Sequence, residues 1–204
     1  MSKGLRTSIY REGESMKSDS IKKMVLTAMF LALGMILPFF TGQIPQIGSM
    51  LLPMHIQAFL CALIVGEKWG TPMAFILPIL RSMIFGMPPM YPTAIGMAFE
   101  LATYAFVAGY LYSRSKWKCT EALYKCLLIA MVAGRVVWGI VQTVLLGLKG
   151  NAFTFQAFMA GALLKAIPGI ALQLILIPAV MIALDRTKLV SFDNSKKENV
   201  YRQD

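Results

Sequence analysis

The longest uncharged stretch of the chain, residues 24–66, contains no Asp, Glu, Lys or Arg. A membrane-spanning helix needs about 20 apolar residues, so this stretch is long enough for two such helices. It is interrupted by Pro38, Gly42, Pro45, Gly48 and Pro53. Clustered Pro and Gly indicate a turn rather than a helix interior. The stretch therefore predicts two membrane-spanning helices joined by a turn.

The rest of the chain has the same apolar character. Hydrophobic residues make up 57% of the 204 residues and charged residues 15%, whereas a soluble domain is roughly half apolar and a quarter charged. The apolar runs are continuous and lack a two-residue alternation, which predicts helices rather than barrel strands. The predicted spans are residues 24–40, 50–66, 69–86, 91–113, 124–148 and 153–184. We therefore predict an all-α integral membrane protein, a bundle of six transmembrane helices within residues 22–186.

Basic residues indicate the orientation of this bundle. One side of the predicted membrane carries Lys3, Arg6, Arg11, Lys17, Lys22, Lys23, Arg114, Lys116, Lys118, Lys125, Arg186, Lys188, Lys196, Lys197 and Arg202. The connections on the opposite side carry Lys149 alone. Because Lys and Arg are enriched in cytoplasmic segments, we expect a protein of the cell membrane with both termini in the cytoplasm, as tails of residues 1–21 and 187–204. The net charge of +10 is then a topology signal, and nucleic-acid binding is not expected.

Ionisable residues inside the predicted spans are the candidates for function. They are Arg81, Glu100, Arg135 and Lys165, and His55 lies near the outer end of the second span. At a helical rise of about 1.5 Å per residue, the first four fall in the outer half or the middle of the membrane. Each costs at least about 2.5–3.5 kcal/mol in hydrocarbon, so each should face the bundle interior. Three cations against one carboxylate favour an anionic ligand that enters from outside, preferably a carboxylate bound by arginine.

Structural roles remain open for the same residues. Arg81 could snorkel to the outer interface. The other three could form internal ion pairs that only fix helix packing.

The outer connections are predicted to cover a ligand site. Irregular backbone at membrane depth is tolerated only where it lines a cavity or faces water, and these connections are rich in Gly and Pro. They and their flanking helices offer Gln46, His55 and Asn151 as polar groups and Trp138 as an aromatic wall. Each of these residues could equally belong to an ordinary turn or to the packed interior.

Motifs for catalysis are missing from the sequence. No Gly-Lys dipeptide occurs, so there is no phosphate-binding loop of the G-x-x-x-x-G-K-[ST] kind. With one His and one acid inside the spans, the chain offers neither H-E-x-x-H nor a Ser-His-carboxylate triad. A channel would need a water-lined route that the sequence does not indicate. We therefore expect no enzymatic activity and no cofactor.

Four segments carry a family resemblance: TAMFLALGMILPFFTGQIPQIGSMLLPMHI, ILPILRSMIFGMPPMYPTAIGMAFELATY, GRVVWGI and KAIPGIALQLILIPA. They resemble the substrate-binding S components of energy-coupling-factor (ECF) vitamin transporters, in particular the members for pantothenate, over about residues 22–184. The resemblance implies a six-helix bundle that binds a vitamin near the extracellular face. It also implies docking onto a transmembrane coupling subunit and two cytoplasmic ATPases.

The resemblance also implies residue roles. Ala28 and Ala32 match the Ala-x-x-x-Ala motif of helix one that contacts the coupling subunit, and two small residues four apart allow another helix to approach closely. Ordinary packing within the bundle is the alternative for this pair.

Pantothenate, a small acid with an amide and hydroxyl groups, would suit the predicted charge surplus. The hypothesis is that Arg135 or Arg81 binds the carboxylate while Glu100 pairs with the other cation. The remaining candidate ligand contacts are His55, Asn151, Gln46, Lys165 and Trp138. A related S component for a pyridoxine-like or pyrimidine ligand is the alternative, and it is distinguished by whether binding requires a carboxylate.

Overall fold

The computed structural model describes residues 3–40, 53–115, 120–148 and 167–186. These residues form six α-helices and no strand, which confirms the all-helical prediction for this part of the chain. The helices are α1 (Lys3–Phe40), α2 (Pro53–Ile64), α3 (Glu67–Phe85), α4 (Ile95–Arg114), α5 (Thr120–Leu148) and α6 (Ile167–Arg186). One π-helical turn, Met90–Ala94, leads into α4.

Three helical stretches are long and apolar enough to cross a membrane. They are Ser18–Phe39, Met90–Arg114 and Thr120–Leu148. Two shorter apolar stretches, Met54–Ile64 and Gly169–Leu184, occur in α2 and α6. Residues 153–166, with which the predicted sixth span begins, lie outside the described residues. Long apolar helices of this kind are typical of a membrane protein.

Helix α1 begins well before the predicted first span. It starts at Lys3, roughly six turns before residue 24 at 3.6 residues per turn. Residues 3–23 contain no Pro, and eight of them are Lys, Arg or Glu, which have favourable helix propensities. The polar segment therefore continues the helix instead of ending it.

Helix α4 lies at the centre of the bundle and packs against α2, α3 and α5. Helix α1 packs on α2 and α3, and α6 packs on α2 and α5. Between the helices lies a buried apolar core that includes Phe59, Leu77, Leu101 and Leu127. Any polar side chain on the inner faces of α2, α4 and α5 is consequently removed from both lipid and water.

Glycines end two helices in conformations that other residues rarely adopt. Gly66, with φ 107°, separates α2 from α3. Gly86, with φ 69°, ends α3, and its N–H donates to the Ser82 carbonyl. Gly86 is left-handed, which is a common way to end a helix. Gly66, with ψ 164°, has an extended positive-φ conformation that is essentially restricted to glycine. The connection from α2 to α3 is therefore short, whereas residues 86–94 connect α3 to α4.

Candidate functional site

Glu100 is a carboxylate buried in the middle of α4, where only 2% of its side chain is exposed. Arg135 Nη1 of α5 lies 3.0 Å from Glu100 Oε1. The Tyr104 hydroxyl donates a hydrogen bond of 2.7 Å to the same oxygen. Charge-assisted contacts of this length are strong, and they are stronger away from water. The carboxylate is thus held by one donor from its own helix and one from α5.

His55 completes the group that we call the Glu100 cluster, which consists of His55, Glu100, Tyr104 and Arg135. It lies in the first turn of α2, 1% exposed, with Nε2 at 3.8 Å from Glu100 Oε1. That separation is too long for a hydrogen bond, and within the described residues neither ring nitrogen has a hydrogen-bond partner. Buried polar groups are normally satisfied. The His55 imidazole thus has hydrogen-bonding capacity that no described residue uses.

The Tyr104 ring is fixed by close packing. It stacks on Phe59 with ring centroids 5.1 Å apart and an interplanar angle of 18°. The ring also lies against Gly134 of α5, where an added Cβ would be 2.2 Å from Tyr104 Cε1. The absence of a side chain at Gly134 thus allows the ring to lie between α4 and α5. This packing places the hydroxyl group at Glu100.

Two further residues of α5, Trp138 and Gln142, lie against the beginning of α4. A Cβ added at Gly96 would be 2.7 Å from Gln142 Nε2 and 3.6 Å from Trp138 Cδ1. Gln142 is 5% exposed, and both residues follow Arg135 by one and two helical turns, toward the end of α5. A row of polar and aromatic groups therefore runs from the Glu100 cluster along α5.

Arg81 lies apart from this row. It is buried, and its Nη1 donates a hydrogen bond of 2.7 Å to the Met35 carbonyl of α1. The guanidinium carbon is 5.3 Å and 5.5 Å from the ring centroids of Phe39 and Phe85. Within the described residues Arg81 forms no ion pair with Glu100, which pairs with Arg135 instead. Arg81 thus joins the end of α3 to the end of α1 through a carbonyl and two aromatic rings.

The other residues expected at the site divide into two groups. Gln46, Asn151 and Lys165 lie outside the described residues. Ala28 and Ala32 are exposed on α1.

Sequence reasoning missed Tyr104 and the buried glutamines. Tyr104 follows Glu100 by four residues, and residues four apart share a helix face, so its contact with the carboxylate could have been inferred. Gln57, Gln142 and Gln173 are each buried, and within the described residues Gln173 Nε2 has no hydrogen-bond partner. Polar but uncharged residues are easily overlooked in apolar helices, since they interrupt the hydropathy pattern only weakly.

Comparison with known proteins identifies the family. No curated protein and no solved structure matches the chain. The model of a family described as "ECF transporter, substrate-specific component" matches residues 22–181, which include the whole Glu100 cluster. A match over this length covers most of the chain, and the family consists of transport subunits rather than enzymes. The chain therefore belongs to the substrate-specific component family of ECF transporters.

Proposed function

We propose that the protein captures pantothenate at the extracellular side of the cell membrane. In this proposal it is a six-span S component with both termini in the cytoplasm. It passes the vitamin inward through a transmembrane coupling subunit and two ATPases. Cations flank the apolar stretches of the described helices, with Lys22 and Lys23 on α1, Arg114 on α4 and Lys125 on α5. Their positions support this orientation under the positive-inside rule.

The Glu100 cluster is the observation that carries the proposal. An ionisable residue within a membrane helix is expensive and usually marks a substrate pathway or site. Here the buried ion pair is accompanied by unsatisfied donors on Arg135, whose Nε has no hydrogen-bond partner within the described residues, and on His55. A carboxylate ligand with nearby hydroxyl and amide groups would supply acceptors to such donors.

The exposed Ala28 and Ala32 support the second part of the proposal. They lie four residues apart on an α1 surface that also exposes Met29 and Leu33. Small residues at this spacing allow a helix of a coupling subunit to pack closely within the bilayer. Gln46, Asn151 and Lys165 remain proposed ligand contacts from the outer connections and the sixth span.

Isothermal titration of the detergent-purified chain with pantothenate, and then with its carboxamide analogue, tests the substrate. We expect the acid to bind at least about tenfold more tightly than the amide, because a charged partner of a buried site is worth about 1.5–3 kcal/mol. Equal affinity for both would contradict recognition of the carboxylate. No binding of either would leave the family intact and remove pantothenate as the substrate.

A neutral vitamin is the second candidate, and one observation favours it. Glu100 and Arg135 neutralise each other at 3.0 Å, so the described site has no cation set aside for an anion. A pyridoxine-like or pyrimidine ligand would need only hydrogen bonds from His55 and Arg135. Tight binding of such a compound, together with equal affinity for the acid and the amide, would support this alternative.

A further inference from the structure

His55 has a chemical property that the rest of the Glu100 cluster lacks. It is 1% exposed, and within the described residues both of its ring nitrogens lack a hydrogen-bond partner. Neutral imidazole offers one N–H donor and one acceptor lone pair, whereas imidazolium offers two donors. The number of protons on His55 therefore decides how many acceptors it can serve.

The groups around His55 are already balanced in charge. From α4 it faces Glu100, at 3.8 Å from Nε2, and Tyr104, with ring centroids 5.5 Å apart. From α5, Arg135 reaches the cluster through Glu100. Within the described residues one negative and one positive charge cancel, so a carboxylate ligand entering the cluster would add a charge that no described residue compensates. Such a charge is strongly disfavoured at membrane depth.

No other described group near His55 can supply the missing positive charge. Arg81 of α3 is directed to the Met35 carbonyl of α1. On α1, the titratable residues with described side chains are Asp19, Lys22 and Lys23, near the opposite end of its apolar stretch, and Glu67 and Lys68 lie at the far end of α3. The described side chains of α6 include none that titrates, and on α2 itself Cys61 follows six residues later.

We infer that binding of pantothenate is accompanied by the uptake of one proton from water by His55. The resulting imidazolium donates one N–H toward Glu100 and the other to the ligand carboxylate. This inference rests on the proposed function, since it requires an anionic ligand at the Glu100 cluster. It accounts for both unsatisfied nitrogens at once, because Glu100 and the ligand are both acceptors and only a doubly protonated ring serves two acceptors.

Calorimetry in buffers of different ionisation enthalpy measures this proton directly. Pantothenate is titrated into the full chain at about pH 8, where an ordinary histidine is mostly neutral, in phosphate and in Tris. The dependence of the observed heat on buffer enthalpy gives the number of protons taken up. We expect close to one, with an affinity that falls about tenfold per pH unit over the range in which one full proton is taken up.

Two comparisons make the test specific. The neutral carboxamide, added to the wild-type chain at saturating concentration, is expected to bind without proton uptake. The variant His55→Gln keeps a neutral side chain with a donor and an acceptor. It is expected to bind pantothenate more weakly than the wild-type chain, with little proton uptake and with an affinity that hardly changes between about pH 6 and pH 8.

Different results would contradict the inference, the assignment to His55 and the proposed function. Tight pantothenate binding without proton uptake by the wild-type chain would overturn the inference and leave the proposed function in place. Uptake that persists in His55→Gln would place the proton on another group and overturn the assignment to His55. The absence of pantothenate binding at every pH would overturn the proposed function itself.

Discussion

Replacing Arg135 by methionine is expected to lower the free energy of unfolding by about 3–5 kcal/mol, because it leaves a buried carboxylate without its cation. Glu100 is 2% exposed and Arg135 is 14% exposed, so water cannot easily take the place of the lost partner. Glu100→Gln is expected to destabilise the chain for the converse reason. The free energies are measured by SDS titration of the purified chain, followed by tryptophan fluorescence.

The double variant Glu100→Gln/Arg135→Met separates a coupled pair from two independent effects. With both charges removed, the cost is expected to be much smaller than the sum of the two single costs. An exposed ion pair within α5, the helix of Arg135, provides the matched control: Glu121 and Lys125, at 2.7 Å. Glu121→Gln/Lys125→Met is expected to leave stability nearly unchanged, because exposed pairs contribute little. Additive costs at Glu100 and Arg135 would contradict the pairing.

Gly134→Ala is expected to destabilise the chain by about 1–5 kcal/mol, although alanine is the better helix former by about 1 kcal/mol. The new Cβ would lie 2.2 Å from Tyr104 Cε1 and 2.3 Å from Cδ1. Overpacking of this kind costs about 1–3 kcal/mol, and displacing the hydroxyl from Glu100 adds the cost of a buried acceptor that loses its donor, about 1–3 kcal/mol. The same SDS titration measures the change, and pantothenate affinity is expected to fall with it.

Gly147→Ala is the control for this substitution. Gly147 lies on the same helix, and an added Cβ would meet no atom within 4 Å. Its stability is expected to be unchanged or slightly raised. Equal behaviour of the two variants would show that Tyr104 is not fixed by the close approach of α4 and α5.

The helices were largely predictable because hydropathy and chain breakers act locally. The predicted spans 69–86 and 124–148 correspond to α3 and α5 within a few residues. In α1 the helix begins well before the predicted membrane span, at Lys3. Hydropathy reports what surrounds a segment, whereas backbone hydrogen bonds continue through polar residues unless a Pro or a cap stops them.

The partners of the ionisable residues were harder to predict. The depth of a residue in the membrane follows from its position along the helix. The neighbour that its side chain faces depends on how the helix is rotated about its axis, and packing against other helices sets that rotation. Arg81 and Glu100 lie on adjacent helices, yet Arg81 contacts the Met35 carbonyl of α1 and Glu100 contacts Arg135 of α5. The predicted surplus of three cations over one acid also assumes that all four residues meet in a single site. In the described residues the charges are distributed over separate places, and the cluster around Glu100 is neutral.

A buried ion pair is poorly suited to stabilising a bundle, since apolar residues of similar volume often stabilise a fold as well or better. Its presence beside an unsatisfied histidine is easier to explain by binding. A neutral, preorganised set of donors exposes no bare charge to the bilayer in the absence of ligand. When an anion enters, one proton restores neutrality, and recognition of the carboxylate becomes linked to pH.

The position of bound pantothenate tests the central claim most directly, through an experimental structure of the chain with the vitamin at saturating concentration. The claim is that the vitamin lies against the Glu100 cluster. We expect a carboxylate oxygen at about 3 Å from a ring nitrogen of His55, and ligand atoms within hydrogen-bonding distance of Arg135. Pantothenate bound elsewhere, with no atom within hydrogen-bonding distance of His55, Glu100, Tyr104 or Arg135, would contradict it.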